Sequence, residues 1–457
     1  MPIWQKGGNC RVKSAFHKAL AAVLAALMLL VNTGCSFRLV ASPEDLYILP
    51  NLPTEYMDLG EKIQMLLSAG MEYAPPTSGS HTQNVQLMDL NSDGEQEAVV
   101  FLRNPVEEQP LRIHIFASGT DGYEETAVIS GSGSSIYSFN ICDLDSDGSM
   151  ELLVGWETGM EMRALTVYSL RRGELQELAR TGYARYAVAD LDQDAAYELT
   201  VFRTDEQGAA VADLYVWKDG LEKASSCPLS FGISKLNAGG VITGALRDGT
   251  AALFVSGVSG DVMATDILQK AEGGQLVNAV LSEFAGMTAE VFRYRGLLPE
   301  DIDGDGVTEV PAAVMIPGTE NGDYYRVDWY SYGADGLRVP ELSTYDNSSD
   351  GWYLELLPEW IGAVTVKRVR NGADEISVTF SRRDGNALPV LRICAISGSG
   401  REQKAARGNR LILSRQADVI YTAELLAGND GWAGTVTEDQ LRGSFHLVER
   451  KWAAGDN

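Results

Sequence analysis

One nine-residue acidic frame constrains the fold of this chain more than any other feature. Aspartate opens the frame, aspartate or asparagine stands at position three, aspartate at position five, glycine or alanine at position six, and glutamate at position nine. Position two is apolar in every copy. The frame occurs four times, with its acidic and amide side chains at Asp89, Asn91, Asp93 and Glu97; at Asp143, Asp145, Asp147 and Glu151; at Asp190, Asp192, Asp194 and Glu198; and at Asp301, Asp303, Asp305 and Glu309.

This spacing of oxygen donors is typical of a loop around one hard cation. Calcium takes about six to eight oxygen ligands and tolerates irregular geometry. An acidic hairpin turn is the alternative, because Asp, Asn and Gly favour turns without any metal. Four copies that close on the same glutamate favour Ca²⁺, at up to four sites. The Asp190 loop is expected to be the weakest, because Ala195 stands where glycine would adopt positive φ at little cost.

The frame is not an EF-hand loop, although the first six positions are shared. An EF-hand loop closes with a carboxylate at position twelve and continues into a helix. Here position twelve is apolar, and short apolar runs typical of strands flank the loops. The position-twelve residues are Val100, Val154, Val201 and Ala312. We therefore expect each loop to join two β-strands.

The copies recur at a nearly fixed period, which indicates a repeat architecture. The frames begin at residues 89, 143, 190 and 301, so the last interval is about twice the others. A degenerate copy fills the gap: Gly244 to Val255 keeps the Asp248-Gly249 turn and the following apolar run but lacks ligands at positions one, three and nine. A second tight turn ending in glycine follows each frame, as at Asp219-Gly220.

Each repeat is thus predicted to contain four strands, with the acidic loop in its first turn. Units of this size and strand number indicate a mainly β fold, a β-propeller of about five four-stranded blades. An open solenoid is the alternative architecture. We place the propeller at residues 81–345.

The DxDxDGxxE loops resemble those of the FG-GAP/VCBS-type repeat propellers, the family that includes the integrin α-subunit head. The resemblance covers about residues 80–345. It implies a propeller stiffened by calcium, with the loops on one rim and a partner surface on the other. It implies no enzymatic activity. Five repeats are fewer than the family's usual ring, so the blade number stays open.

Residues 1–35 are predicted to form a lipoprotein-type signal peptide. Basic residues precede an apolar run from Ala19 to Val31, and the segment ends at Cys35 in a sequence similar to a bacterial lipobox. Asn32 departs from the lipobox pattern, and an uncleaved anchor helix with Cys35 as an ordinary thiol is the alternative. Both interpretations place the chain at the cell membrane on its extracytoplasmic face, with Cys35 as the lipidation site in the first.

Two further segments flank the propeller. Residues 36–80 are predicted to be a tether with one short helix, because Leu59, Ile63, Leu66 and Leu67 follow helical spacing before Gly70. Residues 346–457 are predicted to form a small C-terminal α+β domain of unknown role. Its strand-like runs lie at 364–369, 376–380, 390–396, 411–413, 419–425 and 445–448, and a capping box starts at Thr437.

The net charge and the absence of catalytic motifs limit the classes of function that fit this sequence. The formal net charge of −26 makes nucleic acid a poor partner. No catalytic motif appears, so we expect no enzymatic activity, although the abundant carboxylates leave a glycosidase-like site open. Trp217 and Trp329 are assigned the same repeat position and therefore a role in core packing, which leaves Trp352 and Trp360 as the better candidates for stacking a ligand.

We therefore expect a membrane-anchored, extracytoplasmic, calcium-binding β-propeller that acts as an interaction module for an unknown extracellular protein or glycan. The alternatives are a polysaccharide-acting enzyme on a propeller scaffold and a purely structural envelope protein.

Overall fold

The computed structural model describes residues 56–119, 122–159, 162–171, 174–237, 239–282, 285–316, 324–385 and 387–448. The predicted signal peptide with Cys35, and residues 36–55 of the predicted tether, lie outside these residues. The chain divides into two compact units, Met1–Glu61 and Lys62–Asn457. The fold is mainly β, as expected. Its α-helices within the described ranges are α1 (Met57–Ser68), α2 (Arg401–Ala405) and α3 (Glu438–Ser444).

Two of these helices were predicted from local signals. Helix α1 covers the residues with helical spacing and is followed by Gly70 at φ +99°. Helix α3 begins with the predicted capping box, in which Thr437 accepts the N–H of Gln440 and the Gln440 side chain accepts the N–H of Thr437. None of the helices in the described part of the chain is both long and apolar enough to span a membrane.

The first three sheets are antiparallel and follow one another along the chain. The first has five strands, in which β1 and β2 both pair with β3; the second and third are four-stranded meanders. Their strands are β1 (Glu72–Tyr73), β2 (Val85–Met88), β3 (Glu97–Arg103), β4 (Leu111–Gly119) and β5 (Gly122–Gly131); β6 (Ser135–Cys142), β7 (Glu151–Gly159), β8 (Met162–Arg171) and β9 (Glu174–Tyr183); and β10 (Arg185–Ala189), β11 (Glu198–Thr204), β12 (Ala210–Trp217) and β13 (Leu221–Pro228).

The next sheet is larger than the repeat pattern predicts. The degenerate repeat does form four strands, β14 (Gly240–Ala245), β15 (Ala251–Ser259), β16 (Val262–Lys270) and β17 (Leu276–Asn278). A small hairpin follows, β18 (Leu281–Ser282) with β19 (Met287–Thr288). Strand β20 (Val291–Arg293) then pairs with β16 and joins this repeat to β21 (Val310–Met315), β22 (Tyr325–Tyr332), β23 (Arg338–Asn347) and β24 (Trp352–Glu355).

The C-terminal segment adds a five-stranded antiparallel sheet. It contains β25 (Val364–Arg370), β26 (Glu375–Arg382), β27 (Pro389–Ser397), β28 (Leu411–Arg415) and β29 (Val419–Leu425), which match the predicted strand-like runs. The final strand, β30 (Phe445–Leu447), returns to pair with β24 and completes a ten-stranded sheet.

Hydrophobic cores lie between consecutive sheets. In β7, Leu152 and Val154 join a core with the first sheet, whereas Leu153 points to the other face and joins a core with the third. In β15, Leu253 and Phe254 divide in the same way between the cores on either side. Side chains alternate across a strand, so these strands are apolar on both faces because each sheet is packed between two neighbours.

The core next to the C-terminal sheet contains residues from both sides of the predicted domain boundary. Tyr345, Trp352 and Leu354 pack there with Val364 and Phe380 of the five-stranded sheet. The boundary itself falls within strand β23. The series of stacked sheets therefore continues from the repeat region into the C-terminal sheet.

Candidate metal centres

The four acidic frames occupy equivalent positions in the repeats. The first three connect β2 to β3, β6 to β7 and β10 to β11, and the fourth precedes β21 and is closed by an antiparallel bridge between Glu300 and Glu309. The closing glutamate is the first residue of the second strand in each of the first three loops. The prediction that the loops join strands, and do not lead into helices, is confirmed.

The same hydrogen bonds close every loop. The carboxylate at position one accepts the N–H of position six at 2.9–3.0 Å, and that at position five accepts the N–H of position seven at 2.7–2.9 Å. The glutamate at position nine accepts the N–H of position two at 2.7–3.1 Å. All of these partners lie within the frame, so the loop conformation is specified by local sequence.

Two residues per loop adopt a left-handed backbone conformation. Position six has φ between 72° and 90°, as the glycine preference predicts, and Ala195 supplies the 72° value. Position four is also left-handed, which the sequence analysis did not predict. The position-four residues are Ser92 at 58°, Ser146 at 59°, Gln193 at 60° and Gly304 at 79°. Non-glycine residues rarely adopt this conformation, and the repeated geometry holds it in place.

Three loops bring three carboxylates close enough to share one ion. In each of these groups, oxygen atoms of the three side chains lie within 4.8 Å of one another. The groups are Asp143, Asp145 and Glu151; Asp190, Asp192 and Asp194; and Asp301, Asp303 and Glu309. The Asp89 loop has an amide at position three in place of a carboxylate, and Nδ2 of Asn91 donates to Glu97 Oε1 at 3.2 Å.

The closing glutamates are buried in all four loops, with at most 4% of each residue exposed. Burial raises the pKa of Glu97 and Glu198, and it raises the pKa of Glu151 and Glu309 to about 7. The Oε2 atom of each accepts a backbone N–H, but Oε1 of Glu151 and of Glu309 is buried without a hydrogen-bond partner. A buried, unpartnered carboxylate oxygen beside two further carboxylates fits a bound cation.

Two basic side chains reach the loops, and sequence analysis identified neither. The Arg171 guanidinium contacts Asp145, lies 3.1 Å from Asp147 Oδ2 and 4.0 Å from Glu151 Oε1, and is 42% exposed. The Lys270 ammonium contacts Asp192 and lies 2.6 Å from Glu198 Oε1, with its side chain 11% exposed. Both residues end the third strand of a repeat, just before the second turn. A basic residue at this shared position is the one sequence signal that could have indicated their contact with the loops.

Neighbouring loops contact one another in chain order. Ser146 donates its Oγ hydrogen to the carbonyl of Ala195 at 2.6 Å, and Gln193 Nε2 donates to the carbonyl of Gly249 at 2.6 Å. The N–H of Met150 donates to the carbonyl of Leu90 at 2.8 Å. These bonds connect the Asp89, Asp143 and Asp190 loops and the degenerate turn along one edge of the stacked sheets.

The degenerate repeat keeps the turn without the ligand set. Leu246, at position three of the frame, is fully buried. Asp248 still accepts the N–H of Thr250, at 3.1 Å, and this bond lowers the pKa of Asp248. The frame therefore also folds as an ordinary turn, so the turn geometry alone does not indicate metal.

The tryptophan predictions require two corrections. Trp352 and Trp360 were the candidates for stacking a ligand, but they are 1% and 3% exposed and belong to the core beside the C-terminal sheet. Trp217 and Trp329 do not share a repeat position. In both repeats the fourth strand carries a β-bulge that shifts its register with the third strand; Trp329 of β22 lies just before this shift, whereas Trp217 of β12 lies beyond it. Trp329 is nevertheless buried, as predicted for core packing.

A cavity of about 470 Å³ lies beside the Asp301 loop. Glu300, Asp301 and Asp346 line it together with the aromatic rings of Tyr353 and His446. These two rings are stacked, with centroids 4.9 Å apart and planes inclined by 14°. Burial raises the pKa of Asp346, whose carboxylate accepts hydrogen bonds from Ser348. The sequence pattern did not identify this cavity because its residues come from distant segments.

No family model matches the chain, and no curated protein matches it. Solved structures to which it is similar include the exotype rhamnogalacturonan lyase YesX, with 13% identity over 69% of this chain and 71% of that one and a TM-score of 0.27. The mannose phosphorylase MPT-4 from Leishmania mexicana has 9% identity over 71% and 89% of the two chains, with a TM-score of 0.23. The GH43 protein BlXynB from Bacillus licheniformis has 11% identity over 79% and 84%, with a TM-score of 0.25.

Proposed function

We propose that this protein is a calcium-binding β-propeller that acts as an interaction module for a protein or a glycan, tethered to the extracytoplasmic face of a membrane. The observation that carries the proposal is the pair of buried, unpartnered Oε1 atoms of Glu151 and Glu309, each within a cluster of carboxylates. An ionised carboxylate buried without a partner is costly, and a divalent cation at that point would offset the cost.

The stacked sheets support the propeller. Antiparallel units packed face to face in chain order, with first-turn loops in contact along one edge, are what blades arranged around an axis require. The C-terminal sheet packs on the last repeat and extends the same series. The blade number and the closure of the ring are part of the proposal.

Calcium is the metal that the donor set favours. The ligands are hard carboxylate oxygens, with a backbone carbonyl available at position seven, and no cysteine or histidine belongs to a frame. Such donors suit calcium, whereas magnesium demands near-octahedral geometry and retains its own water. The metal is proposed to be structural, because it ties the two strands of each hairpin together.

The test is a thermal melt of the full chain in calcium, in magnesium and in chelator. A ligand that binds only the folded state stabilises it by about 2.7 kcal/mol per site at a hundredfold excess over Kd. We expect a melting temperature that falls in chelator and is restored by calcium but not by magnesium. An unchanged melting temperature would mean that the frames are acidic turns only.

The variant Glu151→Gln tests the site that the proposal rests on. It keeps the size of the side chain but removes the charge, so the protein should bind one calcium fewer by titration calorimetry. In chelator the variant should be about as stable as the unmodified protein at pH 8, because removing a buried charge offsets the loss of its attraction to Arg171, 4.0 Å away. Glu95→Gln is the control, since Glu95 is an exposed residue of the Asp89 loop. A full calcium complement in Glu151→Gln contradicts the proposal.

The membrane anchor is proposed from the sequence alone. Cys35→Ser should release the protein from the membrane fraction if Cys35 carries the lipid.

The partner surface is proposed to include the cavity beside the Asp301 loop, because the stacked Tyr353 and His446 rings could receive the face of a sugar. A glycan array on wild-type protein and Tyr353→Ala tests this: signals lost in the variant support a glycan ligand, and an array without signals favours a protein partner.

A second candidate function is a polysaccharide-acting enzyme, favoured by the two carboxylates of the same cavity that lie outside the frames. Asp346, with its raised pKa, is suited to a general acid, and Glu300 would be the second carboxylate. Incubation with a panel of polysaccharides should then yield reducing ends or unsaturated products that Asp346→Asn abolishes. The absence of products from the wild-type protein would reject this function and leave the interaction module.

A further inference from the structure

The Asp190 loop differs from the others in what faces its carboxylates. Lys270 is the last residue of β16, in the next repeat, and its ammonium group contacts Asp192 and lies 2.6 Å from Glu198 Oε1. These are positions three and nine of the frame. A bound cation would have to contact the same two side chains.

The closing glutamates differ in whether their Oε1 atom has a hydrogen-bond partner. Oε1 of Glu151 and of Glu309 is buried without a partner, whereas Oε1 of Glu198 accepts a hydrogen bond from Lys270. Two loops thus present an unsatisfied oxygen to a cation, and the Asp190 loop does not. The difference arises from one basic residue, because the hydrogen bonds within the loops are the same.

Lys270 is held in place more firmly than the arginine at the Asp143 loop. Its side chain is 11% exposed, against 42% for Arg171, and Arg171 remains 4.0 Å from Glu151 Oε1. Strand pairing fixes both backbones, that of Lys270 with Leu276 and that of Arg171 with Glu174, so the two residues differ in the burial of their side chains. Arg171 can therefore move into solvent when a cation arrives, and Lys270 cannot do so without exposing a buried stem.

We infer that the Lys270 ammonium is the resident cation of the Asp190 loop, so that this loop binds no calcium and joins the third sheet to the fourth at any calcium concentration. The inference rests on the proposed calcium function of the other loops. Electrostatic repulsion provides the exclusion, because calcium at the centre of the loop would lie within a few ångströms of a positive charge in a partly buried site.

The experiment counts calcium per chain by titration calorimetry and native mass spectrometry on the full chain in mild detergent. Lys270→Met removes the charge and keeps the apolar stem, and it should bind one calcium more than the wild type. It should also lose stability in chelator, because Glu198 is left buried without a partner. Lys218→Met, at an exposed lysine, is the control and should change neither quantity.

A second variant keeps the test decisive if Lys270→Met fails to fold. Glu198→Gln should leave the calcium count at the wild-type value, whereas Glu151→Gln should lower it by one. A loss of one calcium in Glu198→Gln, or an unchanged count in folded Lys270→Met, overturns the inference and leaves the calcium function standing. A wild-type protein that binds no calcium at all overturns both.

Discussion

Ala195 occupies the one position-six site in the four loops where the left-handed backbone carries a Cβ atom. Its φ of 72° is close to the values of 87°, 88° and 90° at Gly94, Gly148 and Gly306. The loop bonds therefore determine this conformation whatever residue stands there. Holding a non-glycine residue in this region costs on the order of 1 kcal/mol or more.

This strain can be measured by exchanging the two residue types. Gly306→Ala should lower the free energy of unfolding by about 1 kcal/mol, although no atom lies within 4 Å of the added Cβ. Ala195→Gly should not lower it, because the relief of strain offsets the entropy that glycine gains in the unfolded chain. Denaturant titration in chelator measures both. Equal losses in the two variants would mean that φ is not the cause.

The central strands contribute side chains to two cores, one on each face of the sheet. Small residues in these strands set how closely neighbouring elements approach. Gly257 in β15 lies against the ring of Phe231, and a Cβ atom at Gly257 would stand 2.3 Å from that ring. Phe231 belongs to the core between the third sheet and the degenerate repeat. A close contact at this point therefore decides how two sheets pack.

Gly257→Ala tests this packing. We expect the free energy of unfolding to fall by about 2 kcal/mol, because an added methyl group in a filled core forces the ring to move. Gly232→Ala is the matched control, since Gly232 adjoins Phe231 and has no atom within 4 Å of an added Cβ. If both variants unfold at the same denaturant concentration, the sheets are less tightly packed than the structure indicates.

At the scale of the whole molecule, the buried closing glutamates make stability depend on pH, and under the calcium proposal this dependence should change when calcium is bound. Burial raises the pKa of Glu151 and Glu309 from 4.5 in the unfolded chain to about 7 in the metal-free fold. Between these values the folded state holds more protons than the unfolded state. The stability that these two groups contribute is thus present at low pH and is lost as the pH rises toward 7.

In chelator we therefore expect the denaturant midpoint to fall between about pH 5 and pH 7, and the fall should be smaller in the double variant Glu151→Gln/Glu309→Gln. In saturating calcium the fall should disappear or reverse, because calcium binds the ionised form. The same series on Glu95→Gln controls for the general effect of removing a negative charge. An identical pH dependence in the double variant and the unmodified protein would contradict this assignment.

Local sequence specified the acidic loops and most strands, because the interactions that shape them span nine residues or fewer. The closing glutamate, the turn at position six and the capping box at Thr437 all have their partners within the same short segment. Alternating apolar residues likewise located the strands of the C-terminal sheet. The frame could not reveal position four as left-handed, since serine and glutamine there carry no conformational signature.

Tertiary structure decided which distant side chains contact these loops and strands. Lys270 lies 72 residues from Glu198 in the chain, and only the packing of adjacent repeats brings the two together. Trp352 and Trp360 are buried because the C-terminal sheet covers them, and strand pairing shows that Trp217 and Trp329 stand at different places relative to the register shift in their repeats. The sequence by itself therefore determined the repeat, its loops and their ligand set, which depend on short-range bonds. Whether the carboxylates of a loop face a basic side chain depends on contacts between segments distant in sequence, which only the folded chain brings together.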